Sequence, residues 1–295
     1  MKQIDLNGTG VALVTPFLND GSIDFDSLGR LIEYNLENGI DYLVVMGSTG
    51  EAATLSAEEK EKIRAFFVRK TAGRLPLVLG MGSNNTAALV EEVRRTDLSG
   101  FDALLSVSPS YNKPSQEGIY RHYAALAEVT PIPVIIYNVP GRTGSNISPE
   151  TALRLARDFD KIAGIKEAAG SMEQVLRLTK DKPDGFHIIS GDDMLALPTV
   201  LAGGSGVISV IAQAFPRIFS SMIEAGRQGK VKEAFDLHYS VMNMIDLIFA
   251  EGNPTGIKQL LALQGLTKAF VRLPLTSASK HLAEAIRIEL QKISS

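Results

Sequence analysis

The sequence predicts a TIM-type (β/α)8 barrel with a C-terminal helical extension, and three observations carry that reading. Eight short apolar or β-branched runs alternate with segments of helical period over about 225 residues, close to the usual size of such a barrel. Strand signals stop after Pro216, and the rest is helical in pattern, broken at Gly252, Pro254 and Pro274. No low-complexity stretch or longer repeat separates independent units, so residues 1–228 are expected to form the barrel and 229–295 the extension.

The strands are expected, in order, at GVALVTPF (10–17), YLVVMG (42–47), LPLVLGMG (75–82), ALLSVSP (103–109), PVIIYNVP (133–140), IAGIK (162–166), HIISG (187–191) and GVISV (206–210). Each is a short run rich in Val, Ile or Leu that stops at Gly, Pro or a polar residue, as a strand buried on both faces requires. Helical segments fall between them at 26–37, 56–70, 86–96, 116–128, 149–157 and 193–201, with another opened by Ser171 after the sixth strand. Ser56 with Glu59, and Ser171 with Gln174, have the spacing of capping boxes and mark where two of these helices begin. Beyond the barrel, helices are expected at 218–225, 231–249, 256–264 and 278–293.

A chain of 295 residues, 45% of them hydrophobic, has ample material for one large core. Its formal charge of −3 is spread without long like-charge runs, which leaves no footprint for nucleic acid and no polybasic patch for a membrane. Without cysteine there is no disulfide framework, no thiolate nucleophile and no Cys-ligated metal. His122, His187, His238 and His281 lie singly, with no paired spacing beside Asp192 and Asp193, so no metal is expected. One of those aspartates is expected instead to cap the helix starting near Asp193. The N-terminal residues lack the makeup of a signal peptide, and no apolar run reaches the roughly 18 residues that would span a bilayer. A cytoplasmic protein acting on a small molecule is the expectation.

Polar residues directly after the strands of a parallel barrel converge on its C-terminal mouth, the catalytic face. Here they are Thr15, then Ser48, Thr49 and Glu51, then Tyr111 and Asn112, then Tyr137, Asn138 and Arg142, then Lys166 and Glu167, and last Gly191, Asp192 and Asp193. Lys166 closes IAGIK, which puts an amine at the end of the sixth strand, where apolar surroundings disfavour the ammonium and favour the nucleophile. Such an amine can attack a carbonyl, a tyrosine hydroxyl can carry protons through carbinolamine and enamine steps, and the forked donors of an arginine can hold a carboxylate. Together they fit aldol-type chemistry on a keto acid, with the iminium as electron sink and no organic cofactor. Taken singly, each has a plainer reading: a strand-terminal lysine can reach solvent, Tyr137 can be a rim aromatic, and GSTGE (47–51) can be a tight turn rather than an anion site. GSTGE is not a P-loop, since it lacks the Lys-Ser or Lys-Thr ending.

Six runs occur in the order and spacing of the dihydrodipicolinate synthase/N-acetylneuraminate lyase superfamily: GSTGE (47–51), SPSYNKPSQEGIYRHY (108–123), YNVPGRTG (137–144), GIKEA (164–168), SGDD (190–193) and GVISV (206–210). The chain resembles that superfamily over essentially its whole length, EGNP (251–254) and RLPLT (272–276) included. The resemblance implies that Lys166 forms a Schiff base with pyruvate, that Tyr137 transfers protons, and that Thr49 links it to Tyr111, which reaches into a neighbouring subunit. It implies further that Arg142 binds the carboxylate of the second substrate, that Ser48 serves the pyruvate carboxylate, and that Gly191 and Ile208 line the pyruvate pocket. Arg142 and the SGDD run resemble the synthase branch more than the sialic acid lyases. The implied reaction therefore joins pyruvate to L-aspartate 4-semialdehyde on the route to diaminopimelate and lysine, in a homotetramer built as a dimer of dimers. A pyruvate-dependent aldolase for 2-keto-3-deoxy sugar acids or N-acetylneuraminate is the alternative within the superfamily, and a non-catalytic keto-acid sensor the alternative outside enzymes. Two departures from the usual pattern, Ser48 for threonine and Gly256 for a second proline, remove no catalytic group.

In lysine-inhibited members of the superfamily the effector sits at a subunit interface. At the corresponding positions this chain has Ala57, Lys60, Ala88 and Ser110 in place of histidines, a carboxylate and a tyrosine, while Asn84 and Ala53 match. An added cation and a missing acid imply weak or absent inhibition by lysine.

Overall fold

The computed structural model describes residues 4–294. Eight parallel strands pair in chain order and close on themselves: β1 (Gly8–Ala12), β2 (Tyr42–Val45), β3 (Leu77–Gly80), β4 (Ala103–Val107), β5 (Val134–Asn138), β6 (Ile162–Glu167), β7 (His187–Ser190) and β8 (Gly206–Ser209). The connecting helices are α1 (Phe25–Leu36), α2 (Ala57–Thr71), α3 (Thr86–Arg95), α4 (Gln116–Val129), a four-residue α5 (Pro140–Thr143), α6 (Pro149–Asp158), α7 (Met172–Asp181), α8 (Ala196–Leu201) and α9 (Pro216–Arg227). Three more, α10 (Val231–Phe249), α11 (Thr255–Leu263) and α12 (Lys280–Ser294), form the C-terminal extension. Among the described residues no helix is long and apolar enough to cross a membrane.

Every expected run overlaps one strand, and most ladders stop before the run does, although β6 continues one residue past its run to Glu167. The first strand begins two residues early, at Gly8, and ends at Ala12: Leu13 N still reaches Val44 O at 3.3 Å, but Val14 N leaves the ladder for the Gln213 side-chain oxygen at 3.0 Å. Successive side chains on a strand face opposite ways, so the apolar runs divide into two cores. Tyr42, Val44, Val78, Leu105, Ile135, Tyr137, Ile189 and Ile208 fill the barrel interior, with Ile4 and Leu6 in the same cluster. Leu43, Val45, Leu79, Leu104, Ile136, Ile165, Ile188 and Val207 point outward and pack under the helices.

Helix starts follow the sequence with two differences. Ser56 and Glu59 form both arms of their capping box at the head of α2. At α7, Ser171 accepts from the Gln174 N–H, but the Gln174 side chain turns away and donates to Glu167 at 2.7 Å, so the reciprocal arm is not made. The helix expected from 193 starts at Ala196: Asp192 Oδ1 caps the preceding turn through Met194 N and Leu195 N, and Asp193 is drawn into the core. The short α5 was not expected; Pro140 at its first position presets the helical φ, and the turn carries Arg142.

The extension is bound to the mouth by buried charge. Lys258, on α11, is fully buried against Glu51 of the GSTGE turn and also donates to Phe270 O at 2.9 Å. The other Glu51 oxygen accepts the Arg272 N–H at 3.0 Å, and the Arg272 side chain pairs with Glu59 and donates to Gly21 O and Thr54 O. Both cations lie over the Phe17 ring, 4.1 and 4.3 Å from its centroid. Burial pushes the Lys258 ammonium down to about 8, with Glu51 working in the opposite direction. At Gly256 the helix start is so close to α10 that any Cβ would overlap the Ile248 carbonyl, which accounts for glycine at this position. Removing one partner of the buried pair strands the other charge, so Lys258→Met should cost about 3–5 kcal/mol in equilibrium urea unfolding at fixed protein concentration. The double variant Lys258→Met, Glu51→Gln should recover part of that loss; a double variant no better than the single would mean the buried charge is not what the single variant suffers from.

Candidate active site

The mouth is organised by the register between β5 and β6. Tyr137 is the Cα partner of Lys166, and Asn138 of Glu167. Tyr137 and Lys166 therefore face the barrel interior side by side, with Lys166 Nζ 4.5 Å from the centre of the Tyr137 ring. Lys166 is 5% exposed and Tyr137 7%. Among the described residues Lys166 has no carboxylate within ion-pair distance and no hydrogen-bond partner, which leaves its amine available to a ligand. Gly191, after β7, abuts it: a Cβ there would stand 2.9 Å from Lys166 Cε and 2.8 Å from Ala168 Cβ. Glycine at 191 keeps that wall of the mouth open.

Ser48 and Thr49 sit in a short 3-10 turn, Ser48–Gly50, held by Thr15 Oγ1 donating to Gly50 O at 2.7 Å. Glu51 follows in the left-handed region at φ 53. Thr49 is buried, and its hydroxyl oxygen accepts from Asn253 Nδ2 at 2.9 Å. Among the described residues no hydrogen bond joins Thr49 to Tyr137 or Tyr111. Arg142 is exposed at the rim and donates from Nη2 to Asn253 O at 3.2 Å. Ile208 is fully buried within the barrel interior. Tyr111 is 88% exposed at φ 72, its backbone N–H tied to Thr143 O at 3.2 Å, so its ring is presented outward rather than into this chain's own mouth.

Several polar residues that follow the strands support the mouth from behind. Strand alternation turns Asn138 and Glu167 outward. The Glu167 carboxylate accepts from Asn138 Nδ2, Gln174 Nε2 and Ala169 N, and burial raises its pKa while those donors pull the other way. Asp193 accepts from Val210 N and Ile211 N, tying the end of β7 to the end of β8, and burial pushes it up to about 6. Asn253, Lys258 and Arg272 were not singled out by the sequence reading. The one signal for Lys258 was a lone charge in the otherwise uncharged helix TGIKQLLAL.

A closed parallel barrel with a buried lysine beside a tyrosine at its C-terminal mouth, that lysine having no ion-pair or hydrogen-bond partner among the described residues, has the build of a (β/α)8 enzyme. The chain belongs to the dihydrodipicolinate synthetase family, whose sequence model matches residues 5–293. It is 55% identical over 287 residues to the 4-hydroxy-tetrahydrodipicolinate synthase of Flavobacterium psychrophilum, covering 97% of this chain and 98% of the relative. Among solved structures, the dihydrodipicolinate synthase of Thermotoga maritima superposes with a TM-score of 0.96 at 36% identity, over 99% of both chains. That of Acinetobacter baumannii, solved in complex with pyruvate, gives 0.95 at 38% identity over 98% of this chain and 99% of that one.

The Asp193 tie gives a pH signature. The ordinary carboxyl value is 3.8 and the buried one about 6, so between them the folded chain keeps a proton that the unfolded chain has released. Stability contributed by this group therefore falls as pH rises from about 4 to about 6 and is level above that. Asp193→Asn should flatten this limb. Chemical unfolding across pH 4 to 7 should show wild type losing roughly 2–3 kcal/mol relative to the variant as pH rises, and parallel curves would contradict the buried-acid assignment.

Proposed function

We propose that this chain condenses pyruvate with L-aspartate 4-semialdehyde, giving 4-hydroxy-tetrahydrodipicolinate, through a Schiff base on Lys166. The observation that carries the reading is Lys166 itself, an amine buried to 5% exposure beside Tyr137 with no ion-pair or hydrogen-bond partner among the described residues. The near full-length identity to the Flavobacterium psychrophilum synthase supports the choice of reaction. Lys166 Nζ attacks the keto carbon of pyruvate, and Tyr137 delivers the proton with which the carbinolamine hydroxyl leaves as water. Tyr137 helps carry off a methyl proton of the resulting iminium, giving an enamine whose carbon attacks the aldehyde, and a proton returns to the aldehyde oxygen. The amine of the second substrate then adds to the iminium carbon, closing the ring and expelling Lys166.

The remaining residues bind and orient. The Ser48 hydroxyl serves the pyruvate carboxylate, with Gly191 and Ile208 lining the pocket. Arg142 holds the carboxylate of the semialdehyde, and an arginine there favours a carboxylate-bearing aldehyde over a sugar. Thr49 stands between Tyr137 and a Tyr111 supplied by a second copy of the chain, since the exposed, backbone-tethered Tyr111 has no partner for its ring among the described residues. A homodimer is then the smallest complete unit and a dimer of dimers the assembly. Residues 229–295 act as an extension of the barrel at 1–228 rather than as a separate unit.

Lysine regulation is proposed to be weak. Asn84, the matching residue at the effector position, already spends its Oδ1 on Ser110 N and Oγ at 2.9 and 3.0 Å, and Ala88 offers no acid to an incoming ammonium. Half-inhibition should need more than roughly millimolar lysine, and sub-millimolar inhibition in a steady-state assay would overturn this.

The test of the function is intact mass after pyruvate and borohydride, with turnover of the semialdehyde alongside. Wild type should carry one reduced pyruvyl adduct and Lys166→Ala none. Arg142→Ala should keep the adduct and raise the semialdehyde KM roughly 10- to 100-fold with little change in the pyruvate KM. An adduct without semialdehyde turnover would move the chain to another pyruvate aldolase, and no adduct on wild type would remove the lysine mechanism.

A further inference from the structure

Asn253 belongs to the loop between α10 and α11, outside the barrel, yet both of its polar ends bear on the mouth. Its side-chain Nδ2 donates to Thr49 Oγ1 at 2.9 Å, and its backbone carbonyl accepts from Arg142 Nη2 at 3.2 Å. Its Oδ1 is buried with no hydrogen-bond partner among the described residues. A threonine hydroxyl has one proton and two acceptor lone pairs. With one lone pair taken by the amide, and no other hydrogen bond to that hydroxyl among the described residues, the Thr49 proton is uncommitted within the chain.

We propose that Asn253 is a positioning residue that sets the direction of hydrogen bonding through Thr49. It holds the hydroxyl as an acceptor toward the extension and so as a donor toward Tyr137. The inference rests on the placing of Thr49 and Tyr137 in one proton path. A phenol oxygen that accepts from Thr49 turns its own proton toward the pyruvate adduct, as the departure of water from the carbinolamine requires. In that step the phenol proton goes to the leaving oxygen, the Thr49 proton goes to the phenol oxygen, and Tyr111, donating into the second Thr49 lone pair, makes good the loss and is itself reprotonated by solvent. Asn253 gives up no proton at any point.

The two contacts of Asn253 are separable. A side-chain substitution removes the contact to Thr49 and leaves the carbonyl that Arg142 uses. Side-chain variants should therefore lower kcat while sparing the KM of the semialdehyde, the reverse of the Arg142 variant. Asn253→Asp sharpens the test, because it keeps the shape but replaces the donor by a carboxylate. The carboxylate accepts the Thr49 proton and draws it away from Tyr137.

Steady-state kinetics in both substrates, over a range of pH, on Asn253→Ala and Asn253→Asp, with borohydride trapping of pyruvate on wild type as control, decide the matter. The expected result is a kcat about tenfold lower in Asn253→Ala and lower still in Asn253→Asp, with the semialdehyde KM within about twofold of wild type. The ratio of Asn253→Asp to wild-type kcat should rise toward acid pH, where the carboxyl regains a proton it can donate. Wild-type kcat in Asn253→Asp at neutral pH would overturn the proposal, as would a raised semialdehyde KM with unchanged kcat. Should Asn253→Ala fail to fold, the pH dependence of Asn253→Asp still decides. Absence of a trapped adduct on wild type would be a separate result, striking the Lys166 mechanism and not the role of Asn253.

Discussion

One irregularity in the ladder places the chemistry. Between β5 and β6 the register runs Val134 to Ile162 and then Ile135 to Gly164, stepping over Ala163. Without that one-residue shift Tyr137 would pair with Ile165, an outward-facing position, and Lys166 would stand opposite Asn138. The bulge brings Lys166 level with Tyr137 and gives both the inward parity, since a slip of one residue sends a side chain to the other face. The same parity throws Glu167 outward into the helical layer, where Asn138, Gln174 and Ala169 can satisfy it. Barrel closure then fixes the remaining walls, because β7 is in register with β6 through Lys166 and Ile189, and β8 with β1 through Ile208 and Gly10.

The barrel does not make the mouth alone. A buried ion pair is weak support for stability when its desolvation is uncompensated. Here both Glu51 oxygens and the Lys258 ammonium have further partners in Arg272 N, Phe270 O and the face of Phe17. The arrangement fixes the GSTGE turn, with Glu51 at a left-handed φ that ordinary residues rarely hold, against a helix about 200 residues further along the chain. Asn253 lies five residues before Lys258, so the same anchor that seats α11 also sets the side chain that touches Thr49.

The alternation of strands and helices was legible because strands buried on both faces read as unbroken apolar runs, and because Ser56 and Glu59 announce a helix start locally. Strand ends were less so: runs such as GVALVTPF continue past the ladder, and the hydrogen bonding that ends it is not local to the run. The sequence placed Lys166 and Tyr137 at one mouth, but it could not separate mouth residues from those that brace it. Asn138, Glu167 and Asp193 follow strands just as Lys166 does, and only the register, with its bulge at Ala163, tells which face each takes. Asn253 and Arg272 were visible only as parts of the EGNP and RLPLT runs, since their partners Thr49 and Glu59 are about 200 residues away and no local period connects them.

A nucleophilic lysine imposes a negative requirement on its surroundings. A carboxylate at contact distance would occupy the amine by ion pairing and crowd the approach of a carbonyl. Three acids, Glu51, Glu167 and Asp193, lie buried within a residue or a few of the proposed site residues, and each is committed elsewhere. Glu51 is taken by Lys258 and Arg272, Glu167 by an amide cluster on the outer face of β6, and Asp193 by the backbone of Val210 and Ile211. Among the described residues Lys166 is thereby left without a counter-ion, next to the ring of Tyr137. The polar groups that the chain buries around its mouth thus do two things at once: they lock the loops that carry Ser48, Thr49 and Gly191, and they keep negative charge off the amine.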